Sequence, residues 1–336
     1  MKELRMLESK PFVSIIIPAR NEEKFIEKCL NSCLNQSYPQ DKMEILVVDG
    51  MSEDKTREIV GKFAQKYTNI KLLDNPKKIA PSAMNIGIKE SKGDIIVRVD
   101  GHCEIDLKFI ENGAKKLLGN EEIWAVGGPI ETVGETKVAQ AIAIAMSSRF
   151  GVGNSAFRTL KNEETFVDTV PFPASPKRIF DIVGLYDEEL VRNQDDEHNL
   201  RIIEKGGKIL LTPDIKSKYF SRSSFKSVFR QYFQYGFYKV KVIRKHPKVL
   251  RVRHFVPAIF FLSLIISPIF FFAPYGYFFP LFVYSSYILS NIFFSIKSSL
   301  DNNFLHFYLV SLSFFLLHIS YGVGFLLGIF HRKNSK

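Results

Sequence analysis

Three stretches hold residues whose types and spacing could do chemistry. Residues 93–104, GDIIVRVDGHCE, run from an apolar, β-branched segment (Ile95, Ile96, Val97, Val99) straight into Asp100, Gly101, His102, Cys103 and Glu104. Residues 43–54 close an apolar segment on Asp49, and residues 191–204 set Asp195, Asp196, Glu197 and His198 at the start of a helical pattern. A buried strand that stops on a carboxylate and an imidazole delivers candidate metal ligands to its C-terminal edge, where open α/β sheets bind their ligands. Plainer accounts exist for each: a strand followed by a polar turn at 100–104, a helix cap at Asp54, and a charged helix start at 195–198 favoured by the helix dipole.

The elements that must position these groups follow from periodicity. Residues 12–18 (FVSIIIP) form a short apolar strand, and residues 24–35 a helix with Phe25, Ile26, Cys29, Leu30 and Cys33 on one face. A second strand at 43–48 ends at Asp49, and in the turn after it Ser52 or Asp54 can cap a helix over 55–67. A strand at 70–73, a helix at 80–90 and the strand of the 93–104 stretch complete four alternations, which argue for a doubly wound α/β sheet. Asp49 and Asp100 would then face one crevice suited to a nucleotide and a metal ion. Neither GxGxxG nor GxxxxGK[ST] follows the first strand, which argues against a dinucleotide oxidoreductase and a P-loop NTPase. Further on, residues 127–129 read as a turn after a short strand and residues 139–146 as a small-residue helix.

Charge is unevenly spread. The chain has 46 Lys and Arg against 35 Asp and Glu, and 12 of those bases fall between residues 215 and 253 with no acid among them. The net charge of +11 is therefore one local feature. Residues 255–296 then contain no charged side chain, and residues 302–330 no Lys, Arg, Asp or Glu. At about 20 apolar residues per crossing, the first run could cross a membrane twice, broken at Pro274, and the second once. The chain thus divides into a domain over 1–240, a basic collar over 241–254 and an anchor of two or three helices over 255–330. Three crossings, preferred on length, would put Arg332, Lys333 and Lys336 outside, against the positive-inside tendency. Beside such a tail the basic collar reads as facing lipid, not nucleic acid. The N-terminal MKELRMLESKPF has no apolar core of a signal peptide, so the domain is expected on the cytoplasmic side of the cell membrane. Cys29, Cys33 and Cys103 match neither a disulfide framework nor a zinc site and are expected as reduced thiols.

VSIIIPARNE, VVDGMSED with Thr56, AMNIGI and GDIIVRVDGHCE, in that order, resemble the family 2 glycosyltransferases with the GT-A fold. GLYDEELVRNQDDEHNLRI and RQYFQYGFYK ahead of an apolar tail are similar to the membrane-attached branch that builds bacterial exopolysaccharides such as succinoglycan. The resemblance runs from about residue 11 to about residue 239.

It implies a GT-A-type mixed sheet followed by transmembrane helices, and a nucleotide sugar, UDP-linked, held by Pro18, Arg20, Glu22, Asp49 and Asp100. Where the family carries two adjacent acids this chain has Asp49-Gly50, and the metal motif reads Asp100-Gly101-His102. A divalent ion, Mn2+ or Mg2+, would be held by Asp100 and His102, with Glu104 a possible addition. Alignment on Arg201 implies Asp195 as catalytic base, with Asp196 as the alternative and Gln194 in place of the usual Glu. A base is needed because an acceptor hydroxyl must lose its proton as it attacks the anomeric carbon. Gln231 to Tyr235 look like a degraded Gln-x-x-Arg-Trp motif, so one sugar per encounter is expected, with Arg230 and Gln231 near the acceptor or diphosphate. The implied enzyme is inverting and acts on a lipid-linked glycan. Transfer to polyprenyl phosphate itself and a non-catalytic nucleotide-sugar-binding membrane protein remain as alternatives.

Overall fold

The computed structural model describes residues 10–160, 162–247 and 255–331. The chain forms two compact units, one joining Met1–Glu131 with Ala156–Tyr219, the other Thr132–Ser155 with Phe220–Lys336. Part of the basic collar (248–254), most of the N-terminal MKELRMLESKPF, and Arg332, Lys333 and Lys336 lie outside the described residues.

In the first unit, strands β1 (Val13–Ala19), β2 (Met43–Asp49), β3 (Ile70–Asp74) and β4 (Ile95–Arg98) are parallel, in the order β3-β2-β1-β4. Helices α1 (Ile26–Leu34), α2 (Thr56–Lys66) and α3 (Ala80–Glu90) connect them. β2 is buried along its whole length and β1 nearly so, as strands covered on both faces must be. Ile16, Val48 and Ile96 pack with Ala83, Met84 and Ile88 of α3. The positions read from periodicity therefore hold to within about two residues.

Beyond β4 the chain adds β5 (Cys103–Ile105), α4 (Phe109–Gly119), β6 (Ile123–Gly127), β7 (Thr165–Phe166), β8 (Ala174–Pro176), α5 (Gln194–Glu204), β9 (Lys208–Leu211) and β10 (Ser217–Phe220). The main sheet reaches eight strands, continuing β4-β8-β6-β9-β7, and becomes mixed because β8 runs antiparallel to both β4 and β6. β10 pairs antiparallel with β5, setting Tyr219 opposite Cys103 and Lys218 opposite Glu104. Glu104 thus sits on a paired strand. Cys29, Cys33 and Cys103 are buried and free, as expected.

His198, from the acid-rich helix start, belongs to the core. Its ring stacks on Tyr186 at 4.5 Å and Phe180 at 5.2 Å, with Nε2 on the Gly184 carbonyl at 3.2 Å. Burial holds the imidazole down at about 3. The folded state thus refuses a proton that the unfolded chain accepts near pH 6.5, so stability present above that pH is lost as pH falls toward about 3. Between pH 7 and 5 the loss from this group is about 2 kcal/mol. Thermal melts of His198→Phe, which keeps the stack, should be flatter over that interval; an unchanged pH slope would assign the acid sensitivity elsewhere.

The second unit is helical. It contains the helix Lys137–Met146, a short turn of helix at Arg149–Val152, α6 (Phe225–Lys245), α7 (Val256–Ile266), a 3-10 turn (Ser267–Phe272), α8 (Phe278–Asp301) and α9 (Phe307–Phe330). Of the described helices, α8 and α9 are long and apolar enough to cross a membrane. They run antiparallel, tied by Tyr287 Oη to His318 Nδ1 at 3.0 Å and by Asn291 Nδ2 donating to the Ser311 carbonyl at 3.2 Å. His318 Nε2 lies 2.8 Å from the Phe150 carbonyl. α6 lies along α9 in the same direction through glycines. A Cβ on Gly236 would stand 2.1 Å from the Tyr321 oxygen and one on Gly324 2.0 Å from the Phe233 oxygen. Farther along, Arg244 donates to the Ile329 and His331 carbonyls at 2.6 and 2.9 Å.

Among the described residues two helices are of spanning length, where two or three were expected and three preferred. Residues 256–272 make only α7 and the 3-10 turn. The α-helix ends at Ile266, before Pro268, not at Pro274. Pro268 has no N–H to give the Leu264 carbonyl, which instead accepts from the Tyr284 hydroxyl at 2.7 Å.

Candidate active site

At the C-terminal edge of the sheet one guanidinium gathers two carboxylates. Arg98 ends β4 and is 7% exposed. Its Nε donates to Asp100 Oδ1 at 2.8 Å, and its Nη1 lies 2.7 Å from Asp195 Oδ1, an ion pair without the alignment of a hydrogen bond. Burial pushes the Asp100 carboxyl up, but Arg98, then His102, more than reverse this and leave it below its ordinary value. Asp195 ends above its ordinary value. Burial pushes it up, Arg98 opposes, and Asp100 and Asp196 add to the rise. Closely surrounded though it is, Asp195 keeps 37% of its side-chain surface open, as a crevice wall does and a core residue does not.

Beside this pair, His102 Nδ1 lies 2.9 Å from Glu22 Oε1, and the ring meets Tyr219 edge-on at 5.0 Å. A carboxylate on Nδ1 leaves Nε2 as the nitrogen able to ligate, an arrangement that orients metal-binding histidines. Among the described residues no three His, Cys, Asp or Glu side chains converge. Asp100 and His102 would offer one oxygen and one nitrogen donor to a divalent ion.

Asp49 sits at the end of β2 with no exposure, both oxygens engaged. Oδ1 accepts from the Ser52 hydroxyl at 2.5 Å, and Oδ2 from the Ser52 amide at 2.9 Å and Arg57 at 2.7 Å. The loops after β1 and β2 are laced together. The Asn21 amide donates to the Ser52 hydroxyl at 2.9 Å, Asn21 Oδ1 accepts from the Glu53 amide, and the Glu22 amide donates to the Thr56 hydroxyl at 2.8 Å. Asp54 takes the Thr56 hydroxyl at 2.6 Å and the Glu23 amide at 3.1 Å. Burial raises its carboxyl, and these bonds outweigh burial to leave it below its ordinary value. Asp54 is thus a brace between two loops as well as an acceptor for the Thr56 amide at the start of α2; Ser52 turns to Asp49 and Asn21 instead of capping that helix. Pro18 lies in β1 opposite Val48. Arg20 is 44% open, and a Cβ on Gly50 would stand 3.2 Å from its Cβ, so the glycine that replaces the expected second acid makes room for Arg20.

The start of α5 is held from behind. Asn85 of α3 exchanges bonds with the Tyr186 amide and carbonyl, both 2.9 Å, and donates to Glu188 at 2.9 Å. Arg201 holds the Val183 and Leu185 carbonyls and pairs with Glu197 at 2.8 Å. Gln194, Glu197, His198 and Ile202 face inward at spacing i, i+3, i+4, i+8, which leaves Asp195 and Asp196 toward the open side.

The glycosyl transferase family 2 model matches residues 14–173. A dolichyl N-acetyl-alpha-D-glucosaminyl phosphate 3-beta-D-2,3-diacetamido-2,3-dideoxy-beta-D-glucuronosyltransferase of Methanococcus voltae is 36% identical over 241 residues, covering 70% of this chain and 74% of the relative. The chain belongs to glycosyl transferase family 2. The succinoglycan biosynthesis protein ExoA of Rhizobium meliloti is 29% identical to this glycosyltransferase over 245 residues, 72% of this chain and 73% of that one. In fold, the family 2 chain is similar to the mannosyltransferase PcManGT from Pyrobaculum calidifontis, solved in complex with GDP-Man and Mn2+. That match has a TM-score of 0.58 at 16% identity, covering 97% of this chain and 92% of the other. The doubly wound, mixed GT-A sheet is thereby shown.

In this family 2 glycosyltransferase the structure brings Asp100, His102, Glu22 and Asp195 into one neighbourhood through Arg98 and the Glu22–His102 contact. Arg230 and Gln231 lie on α6 of the helical unit, Arg230 exposed and Gln231 buried with Nε2 donating to the Tyr235 hydroxyl at 2.9 Å. Sequence reasoning gave no role to Arg98 or Asn85. Arg98 does carry a signal, since an arginine inside the apolar run IIVRV must find an anion if the strand is buried.

Proposed function

We propose that this glycosyltransferase moves a sugar from a nucleotide-diphosphate donor, UDP-linked, to a lipid-linked glycan, in a single displacement that inverts the anomeric centre. The observation that carries the reading is the pairing of Asp100, at a strand end, with Asp195, at a helix start, on one buried guanidinium. Asp195 takes the proton of the acceptor hydroxyl as its oxygen bonds to the anomeric carbon. The bond from that carbon to the diphosphate breaks, and the nucleoside diphosphate leaves with the electron pair.

Asp100 and His102 would hold a divalent ion, which when bound supplies charge neutralisation for the departing diphosphate. Imidazole suits Mn2+ better than Mg2+. Glu22 is better assigned to orienting His102 than to the nucleotide, because its Oε1 is already at Nδ1. Pro18, Arg20 and the Asp49 loop are left for the base and ribose, Arg20 by its exposed guanidinium and Asp49 by holding the loop's shape. Exposed Arg230 is a contact for an anionic acceptor. The α8–α9 pair anchors the protein in the cell membrane as a hairpin, with the catalytic unit cytoplasmic. The names of the two relatives, one for a dolichyl-linked acceptor and one for succinoglycan biosynthesis, support the acceptor class.

The test is the full-length protein in liposomes with Mn2+, a panel of UDP- and GDP-linked sugars, and dolichyl phosphate carrying N-acetylglucosamine. Nucleoside diphosphate release that requires the lipid-linked sugar is expected, and no release from any donor would sink the reading. In the same preparation His102→Ala should weaken Mn2+ binding in the presence of UDP, read by electron paramagnetic resonance, at least about tenfold. Unchanged binding would remove His102 as a ligand.

A further inference from the structure

We propose that Arg98 is a positioning residue of the transfer reaction, fixing Asp195 in the orientation from which it takes the acceptor proton and setting it against Asp100 at the donor end. The proposal rests on Asp195 being the base.

Arg98 stands in an apolar strand and is 7% exposed, so its charge needs anionic partners to be tolerated there. Both anions it finds are candidate site groups, Asp100 at 2.8 Å and Asp195 at 2.7 Å. The guanidinium engages them through different nitrogens, Nε for Asp100 and Nη1 for Asp195, which a planar fork can do and a lysine ammonium cannot. Asp195 Oδ1 is fully enclosed against Arg98 while 37% of the side chain stays open, so Oδ2 is the oxygen offered to the acceptor. Asn85 and Arg201 hold the backbone behind α5, but neither touches this carboxylate. Among the described residues, Arg98 is the side chain paired with it and fixes its rotation.

The experiment uses full-length protein, Mn2+–UDP as the binding probe, and the donor and acceptor pair that gives the fastest UDP release. Arg98→Lys should bind Mn2+–UDP within about threefold of wild type and shift the donor KM little, while kcat falls about 10²-fold, the loss typical of a misplaced catalytic group. Arg98→Met placed on Asp195→Asn should cost less than about threefold further, because both changes act through one carboxylate. If Arg98→Met does not fold, Arg98→Lys, which retains the buried charge, carries the test. A rise in donor KM with unchanged kcat, or losses that multiply in the double variant, would overturn the role. Normal turnover by Asp195→Asn would remove the base reading and this role with it. An inactive Asp195→Asn beside an Arg98→Lys of full kcat would leave the base standing and overturn Arg98 alone.

Discussion

Asp195→Asn is expected to lower kcat by about 10²–10⁴ while leaving Mn2+–UDP binding nearly intact, since it removes a general base and keeps the shape of the side chain. The amide still fits beside Arg98 but cannot accept the acceptor proton. The pH dependence adds a second readout. Asp195 is held above its ordinary value chiefly by burial, so its ionised, proton-accepting form appears at a higher pH than that of an ordinary aspartate. Activity should therefore rise with pH along an acid limb displaced upward, and Asp195→Asn should erase that limb from any residual rate. Unchanged turnover in the variant would dismiss Asp195, with Asp196 next to be tested. Full turnover on free polyprenyl phosphate alone would point to an acceptor that is already an anion and needs no base.

The largest effect on stability is expected at Gly128. A Cβ there would stand 1.5 Å from the Ile215 carbonyl oxygen and 2.6 Å from its carbon, both backbone atoms that cannot rotate away. Ile215 is 1% exposed and sits in the link from β9 to β10, the strand that carries Tyr219 to the His102 ring. Gly128→Ala must push that link outward, at about 3 kcal/mol or more, so that melting falls by many degrees and Mn2+ binding weakens with it. Gly119→Ala is the control. Nothing lies within 4 Å of its Cβ position, and it should stay within about 0.5 kcal/mol of wild type. A Gly128→Ala protein as stable as that control would show that the turn yields without strain.

The parallel half of the sheet was legible because each of its strands is an apolar run ending in a turn, and each intervening helix carries one apolar stripe. The later half was less so. β7 and β8 are two and three residues long, and their pairing is decided by neighbours remote in sequence. Within the site, the residues that end strands could be named, but what each one touches could not. Asp49 reads as a ligand for a nucleotide and proves fully engaged by Ser52 and Arg57; Glu22 reads the same way and proves to sit on His102. Of the four charged or titratable residues 195–198, the inward stripe that continues to Ile202 could have told two core groups from two open ones. In the tail, composition gave apolar length but not where it breaks. Pro268 and a tyrosine hydroxyl from a later helix decide that.

The discontinuity of the helical unit carries a consequence for the order of assembly. The segment 132–155 leaves the sheet unit partway through the chain and belongs with helices made much later; the Phe150 carbonyl meets His318 across 168 residues of sequence, and Arg244 meets the end of α9 across 85 to 87. During synthesis the sheet can close around β6, β8 and β9 while the helix Lys137–Met146 and α6 still wait for α9. Contacts of such long range are slow to form. A chain shortened before α9 would therefore present a finished sheet with Gly236 of α6 left uncovered, and quality-control proteases, not loss of chemistry, should set its fate.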